Sequence, residues 1–551
     1  MGQPSDDIIR LWENGKRARE ERIEARRALP QVRLWDGDWN FVGSVNDAME
    51  GKFQWKLNDT GSGFLKLRID DRLAQWAIQH RNRGKKNIHV TMDKDGARWS
   101  GRACQVLLKK DTNGERFVEL HFLHDYEEVK HVYVWPNPYL PSAVQFPRSF
   151  TLVGPTRWVL KVALMLNIRR LAGKAFSFPE DPLDGKSWVG VSGTEFWGVQ
   201  VAPNSPLSSD ASPWTVISSR MKSWHEMAKQ KLADAQLSVE CRRWLTGDPE
   251  PWPGARIRHG CLVIDIVDKS GYWSEDGTVL SGSRESGFVR TLQTVFGGGD
   301  LDTRNTVLPA PRDVPQYRQR NWLGTAPNYP YVVYNDGPIT GVESSEYAWE
   351  PATSTQVVTG GHSAYGVNEA ISATVKLVGN YIGNFILLPT LGAIADTFLQ
   401  PIYADTLFAW MTSYSSNRSR ELGWSHYYEH FVDGADKAYT ISAVLALRRG
   451  MWETREKISH KINVADGAPW FIGDQGQGHY FLGDRIGATI QGLGEDIVVV
   501  EQVTELVYEF NRTKRGWSCV CGDLSSQHSP LEQVLSQVKE VQSAAHDLGV
   551  I

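Results

Sequence analysis

Phe53-Gln54-Trp55-Lys56-Leu57-Asn58-Asp59-Thr60-Gly61-Ser62-Gly63-Phe64-Leu65-Lys66-Leu67-Arg68-Ile69 alternates apolar and polar side chains on both sides of a polar turn. Phe53, Trp55 and Leu57 fall on one face, with Gln54 and Lys56 on the other. Leu65, Leu67 and Ile69 likewise alternate with Lys66 and Arg68. A period of two interrupted by an Asn/Asp/Gly cluster is the pattern of a half-buried β-hairpin. Downstream, Ile88, Val90 and Met92 lead into the turn Asp93-Lys94-Asp95-Gly96 and a strand from Arg98 to Leu108. After Asp111-Thr112-Asn113-Gly114, Val118, Leu120 and Phe122 flank Glu119 and His121. Short strands joined in this way predict an antiparallel barrel or sandwich. Upstream, residues 5–28 read as a charged helix with a short stripe of Ile8, Leu11 and Trp12, stopped by Pro30.

Further along, Pro155 and Thr156 open a predicted helix through Trp158, Val162, Leu166 and Ile168, closed by Arg169, Arg170 and Gly173. Ser212-Pro213 reads as the start of a second helix carrying Ile217, Met221, Trp224 and Met227, before a strand LSVECRRWL at 237–245. A helical run at 433–458 precedes a final β region, in which strands at 498–510 and 517–523 flank a turn from Asn511 to Gly516. Residues 530–548 read as helix.

The expectation is an α+β, multidomain chain with two antiparallel β-barrel modules, intervening helices and long loops. Its divisions are a charged helix (1–29), a first barrel (30–131), a helical and loop domain (132–240) and a β-rich domain (241–345). An insertion (346–432), a helical segment (433–465), a final barrel (466–525) and a C-terminal helix (526–551) complete it.

A length of 551 residues exceeds one hydrophobic core. Sixty basic against 64 acidic side chains give a net charge of −4, which offers no field for gathering nucleic acid or an anionic bilayer. The five cysteines are odd in number and form no CxxC pair, so they read as buried hydrophobes in a reducing compartment. MGQPSDDIIRLWENGKRAREER has no apolar run behind its charges, which predicts synthesis and folding in the cytoplasm.

One segment, 377–399, is chemically unusual, because Leu377 to Ala395 carries no charge. Its apolar positions include Leu377, Phe385, Ile386, Leu387, Leu388 and Leu391, and Gly379 and Gly383 form a GxxxG pair. Asn380, Asn384 and Pro389 interrupt it. The run nearly reaches the roughly twenty residues that span a bilayer. Three homes are open to it: a core helix, an axial plug packed against symmetry mates, or a segment released into a membrane.

Catalytic patterns are weak. His426-Tyr427-Tyr428-Glu429-His430 matches HxxEH, a zinc pattern if helical, with Glu505 as a formal third ligand. Asp265/Asp268 and Glu495/Asp496 are the carboxylate pairs a glycosidase would need, but each stands beside a glycine where a turn also favours acids. Of 22 tryptophans, Trp135, Trp188, Trp197, Trp252, Trp273 and Trp322 fall in loops, where they could stack on sugars. No cofactor is expected, and no catalytic or metal residue is assigned.

Several runs resemble a known family. Leu34-Trp35-Asp36, the turn after Lys56-Leu57-Asn58, and the hairpin with Asp95-Gly96 and Ser100-Gly101 resemble the first domain of siphophage tail-tip hub proteins. Arg258-His259-Gly260-Cys261-Leu262-Val263-Ile264-Asp265-Ile266-Val267-Asp268-Lys269-Ser270-Gly271 is similar to a run in minor tail proteins of phages infecting actinobacteria, as is Pro401-Ile402-Tyr403-Ala404-Asp405-Thr406. The resemblance implies a structural subunit of the virion tail tip, akin to the central hub of contractile tails, forming a trimeric ring. Such a ring docks on the distal tail protein, encloses the end of the tape-measure protein and gates the tube for genome delivery. Other tail-tip proteins and a transient contact with the host envelope complete the expected partners. The alternatives are a cell-wall hydrolase and a receptor-binding or membrane-penetrating tail module.

Overall fold

The computed structural model describes residues 6–172, 194–203, 210, 212–269, 306–309, 332–337, 342–360, 410–432, 441–464, 470–492, 497–513 and 515–522. The C-terminal helix and the apolar segment expected at 377–399 lie outside these residues. Helix α1 (Asp6–Arg27) precedes β1 (Gln31–Trp35), β2 (Phe41–Val45), β3 (Ala48–Lys56) and β4 (Ser62–Arg68). After α2 (Arg72–Ile78) come β5 (His89–Lys94), β6 (Ala97–Lys110), β7 (Arg116–His124) and the single turn α3 (Glu127–Lys130). Phe53, Trp55, Leu65 and Leu67 are buried as their alternation requires. The β3–β4 turn is tight enough that a Cβ on Gly61 would overlap the Gln54 carbonyl. Helix α1 is fixed at its C-terminal end, where the Arg26 guanidinium lies over the Phe471 ring and donates to the Ile472 carbonyl at 3.2 Å.

A second module follows: β8 (Phe150–Pro155), α4 (Thr156–Ala172), β9 (Val199–Val201), β10 (Trp214–Ser219), α5 (Trp224–Asp234), β11 (Leu237–Arg243) and β12 (Leu262–Asp268). Val159, Leu160, Ala163 and Leu164 of α4 meet Trp224, Ala228 and Leu232 of α5 and Leu237, Leu262 and Ile264 of the strands in one core. The helix predicted from Ser212 is corrected here. Residues 214–219 pair with β8, Ile217 facing Leu152, and the helix begins only at Ser223, whose hydroxyl forms a capping box with Glu226. Thr215, Ile217 and Ser219 are buried in alternation, and the free β8 edge outweighs the capping signal. Ser212 is nevertheless a cap: with Asp210 it accepts the Arg157 and Trp158 N–H groups at the start of α4.

Beyond come β13 (Thr306–Pro309), β14 (Val333–Tyr334), β15 (Val342–Glu350), β16 (Ser354–Gly360) and β17 (Trp410–Tyr414). They are followed by α6 (Ser416–Leu422), β18 (Tyr427–Phe431), α7 (Ile441–Glu453), β19 (Lys457–Val464), β20 (Arg485–Ala488), β21 (Ile497–Phe510) and β22 (Arg515–Cys521). Within the helical run expected at 433–458, residues 441–453 form α7 and 433–440 lie outside the described residues, while 457–464 pairs with β15 as a strand.

The first and last β regions, expected as two barrels, share one sheet. Its path runs β14-β20-β21-β3-β4-β7-β6-β5-β1-β2, with β13 and β22 also on β21. The joint is β21 against β3, from Glu505 opposite Lys56 to Phe510 opposite Gly51. A single core extends from Val32 to Cys521, so the curled sheet wraps one apolar interior. Alternation in β3 specifies which face is inward but not which strand takes its second edge. Cys519 and Cys521 share the inward face of β22, as their spacing predicts.

Candidate functional site

The fold is fixed by a buried charged seam between the first sheet and the second module. Asp125, just past β7, takes two hydrogen bonds from Arg243 at the end of β11, Nε to Oδ2 at 2.8 Å and Nη2 to Oδ1 at 3.0 Å. Ser100 Oγ also donates to this carboxylate, and Arg243 Nη1 donates to the Gly260 carbonyl at 3.0 Å. Beside them Arg98 bridges Asp93 and Asp248, and Arg33 pairs with Asp93. The Arg243 guanidinium lies 4.7 Å over the Trp39 ring, which stacks on His89 at 4.6 Å.

Burial by itself raises the Asp125 pKa, but the Arg243 charge together with the hydrogen bonds from Arg243 and Ser100 outweighs it and holds the carboxyl below the usual range. Burial, reinforced by the Arg243 cation, lowers His89 to about 4, and burial lowers His124 to about 4 against the opposing charge of Asp125. Both imidazoles are therefore neutral at pH 7. A pair removed from water this completely repays its desolvation only with full hydrogen bonding, and both oxygens of Asp125 are engaged.

Of the runs that carried the family resemblance, those around Asn58 and His259-Gly260 lie at this seam, while Pro401–Thr406 lies outside the described residues. Asn58, at the β3–β4 turn, donates to the Leu237 carbonyl at 2.7 Å and accepts the Val239 N–H at 2.8 Å, splicing the turn onto β11. Asp95 accepts from Trp517 Nε1 at 2.8 Å. His259 packs against Trp35 at 5.3 Å. Gly260 has φ +77°, and a Cβ there would overlap the Trp39 ring. Arg243 was missed from sequence, although one signal was present: in LSVECRR it occupies the inward series begun by Leu237 and Val239.

The other candidates disperse. Residues 427–431 form β18 rather than a helix, and His426 lies in the bend before it, so the two histidines do not share a helix face. His430 Nε2 lies 3.6 Å from Glu453 of α7, and His426 bonds the Gly423 carbonyl. Glu505 is in the large sheet, accepting from Gln54 Nε2 at 2.7 Å. Among the described residues no group of three or more His, Cys, Asp or Glu could hold a metal ion. Asp265 and Asp268 lie on β12, not in a turn, and their odd spacing sends them to opposite faces. Asp265 pairs with Lys161 at 2.6 Å, while Glu495 and Asp496 lie outside the described residues.

Of the loop tryptophans, Trp197 is buried, Trp135 lies under the Arg170 guanidinium at 4.0 Å, and Trp252 is half-buried. Trp188, Trp273 and Trp322 lie outside the described residues, as do Leu377, Gly379, Gly383, Phe385, Ile386, Leu387, Leu388 and Leu391. Among the described residues no helix is long and apolar enough to cross a membrane.

The family resemblance agrees with the chain's relatives. It is 32% identical over 593 aligned residues to the minor tail protein Gp28 of Mycobacterium phage L5, and equally so to that of Mycobacterium phage D29, covering 98% of this chain and 98% of each relative. Among solved structures, the 43 kDa tail protein of prophage MuSo2 from Shewanella oneidensis matches with a TM-score of 0.40 and 9% identity, over 90% of this chain and 98% of that one. The chain is thus a phage minor tail protein, a structural component of the virion tail. It belongs to the Siphovirus ReqiPepy6 Gp37-like family, whose model matches residues 31–523.

Proposed function

We propose that this minor tail protein is a non-catalytic hub of the tail tip, in which three copies join edge to edge around the tail axis. The observation that carries this reading is the twelve-stranded sheet, whose path ends at β14 and β2 among the described residues. Outer strands present backbone donors and acceptors that a neighbouring chain can pair. On β2, Arg72 covers one such point by donating to the Val42 carbonyl at 2.9 Å.

In this reading residues 30–131 and 466–525 act together as the ring body, with the second module held to them by the Asp125–Arg243 seam. The ring docks on the distal tail protein, encloses the end of the tape-measure protein and gates the passage used for genome delivery. It also meets other tail-tip proteins and, transiently, the host envelope. The segment 377–399 serves either as the plug of that passage or as the part that enters the envelope.

The test is native mass measurement of the full chain, beside a variant with a lysine on the β2 edge, Phe41→Lys. The expected result is a three-copy assembly that the variant weakens without losing its fold. A stable monomer at every concentration, together with absence from purified virions, overturns the reading.

A further inference from the structure

The small sheet of β16, β17 and β18 is packed on one face and bare on the other. Val357 and Met411 point inward, against Val444, Leu447 and Met451 of α7. The register sets Val358 opposite Thr412 and Phe431, and Gln356 opposite Tyr414 and Glu429. The outer face therefore carries Trp410, Tyr414, Tyr427 and Phe431, exposed by 53, 56, 75 and 49%. The Trp410 and Phe431 rings meet edge to face at 5.8 Å. Aromatic groups of this size and exposure leave on the order of 400 Å2 of apolar surface in one patch, enough to expect a partner. Its centre is polar, where Gln356 Nε2 donates to Glu429 at 2.9 Å.

The chain itself leaves and re-enters at this face. Gly360 and Trp410 are the final paired residues of β16 and β17, and residues 361–409 run between them. Within that stretch lies the uncharged run Leu377–Ala395, tethered by 361–376 on one side and 396–409 on the other. Chain segments of that length reach roughly 20 Å, against a sheet about 10 Å wide. Two such tethers hold the run near the patch at an effective concentration of about millimolar.

We propose that this aromatic face is the docking site of the chain's own apolar run, Leu377–Ala395, in the unassembled protein. Phe385, Ile386, Leu387 and Leu388 supply apolar groups for the aromatic rings. Asn380 and Asn384 supply amide donors for Glu429, with no acidic group to oppose it. The assignment does not depend on the ring.

The test places a photo-crosslinker on the face of the full chain, Tyr414→p-benzoylphenylalanine, in an equal mixture of unlabelled and 15N-labelled protein. A second probe, Thr412→p-benzoylphenylalanine, covers the case in which the first variant fails to fold. The expected result is crosslinked peptides from 377–395 within chains of one isotope. In parallel, Trp410→Ala combined with Phe431→Ala should raise the rate of protease cleavage inside 377–395 about tenfold. Mixed-isotope crosslinks identify a second copy as the occupant and overturn the proposal. So do crosslinks to added lipid vesicles or cell-wall glycan in place of 377–395, crosslinks only to other parts of the chain, or none at all.

Discussion

The Asp125–Arg243 seam and the outer face of β16–β18 treat their side chains in opposite ways. At the seam, the charges of Asp125 and Arg243 are buried and paired across two modules by two hydrogen bonds. On the small sheet, groups that prefer to leave water remain in it, Tyr427 by three-quarters and Trp410 by about half. The difference separates contacts completed between packed strands from an apolar face still open to a further segment. A carboxylate with both oxygens engaged needs nothing further, whereas a sheet that exposes four aromatic rings leaves apolar surface for another segment to cover.

The sharpest way to break this comparison is to remove one partner from the seam. Arg243→Ala leaves Asp125 buried and uncompensated, and should cost about 3–5 kcal/mol in denaturant unfolding. Trp410→Ala on the bare face should stay within about 0.5 kcal/mol. Equal losses at the two positions would erase the distinction.

Acid offers a second test of the seam. His89 and His124 have folded pKa values of about 4, below the 6.5 of a free imidazole. The unfolded chain therefore binds the extra protons. Their contribution is complete above pH 6.5 and is lost as pH falls toward 4, by roughly 2 kcal/mol per histidine at pH 5. His460, lowered by burial to about 4, adds to the same window. Melting temperatures at pH 7, 6 and 5 should fall in that order, and a flat profile would contradict the buried neutral imidazoles.

Gly260→Ala tests the packing beside the seam. A side chain at φ +77° that also overlaps Trp39 should cost about 1–3 kcal/mol, read as a lower denaturant midpoint with an unchanged slope. The smallest effect is expected where the zinc pattern lies. Because residues 427–431 form a strand and His426 lies in the bend before it, zinc or a chelator should leave the melting temperature unchanged, as should His426→Ala.

Much of this fold is legible in the sequence. Alternation marks Phe53, Trp55, Leu65 and Leu67 as inward, and α1 and α4 follow from their charge and apolar spacing. The union of β21 with β3 is not legible, because a period of two names a strand's faces and leaves its neighbours unspecified. Ser212 was read as a cap and is one, but for a helix that starts earlier in the chain. The seam joins residues far apart in sequence, and only the inward place of Arg243 in an alternating strand hinted at it. The aromatic face was hidden by HYYEHF itself, whose aromatic and ligand-type residues occur at both parities and give no strand signal.

The most direct test of the central claim is a reconstruction of the tail end of the intact virion. The account predicts three copies of this chain around the axis, with the sheet edges at β2 and β14 meeting neighbouring subunits. A single copy lying off the axis, or three copies whose sheets never touch, would contradict it.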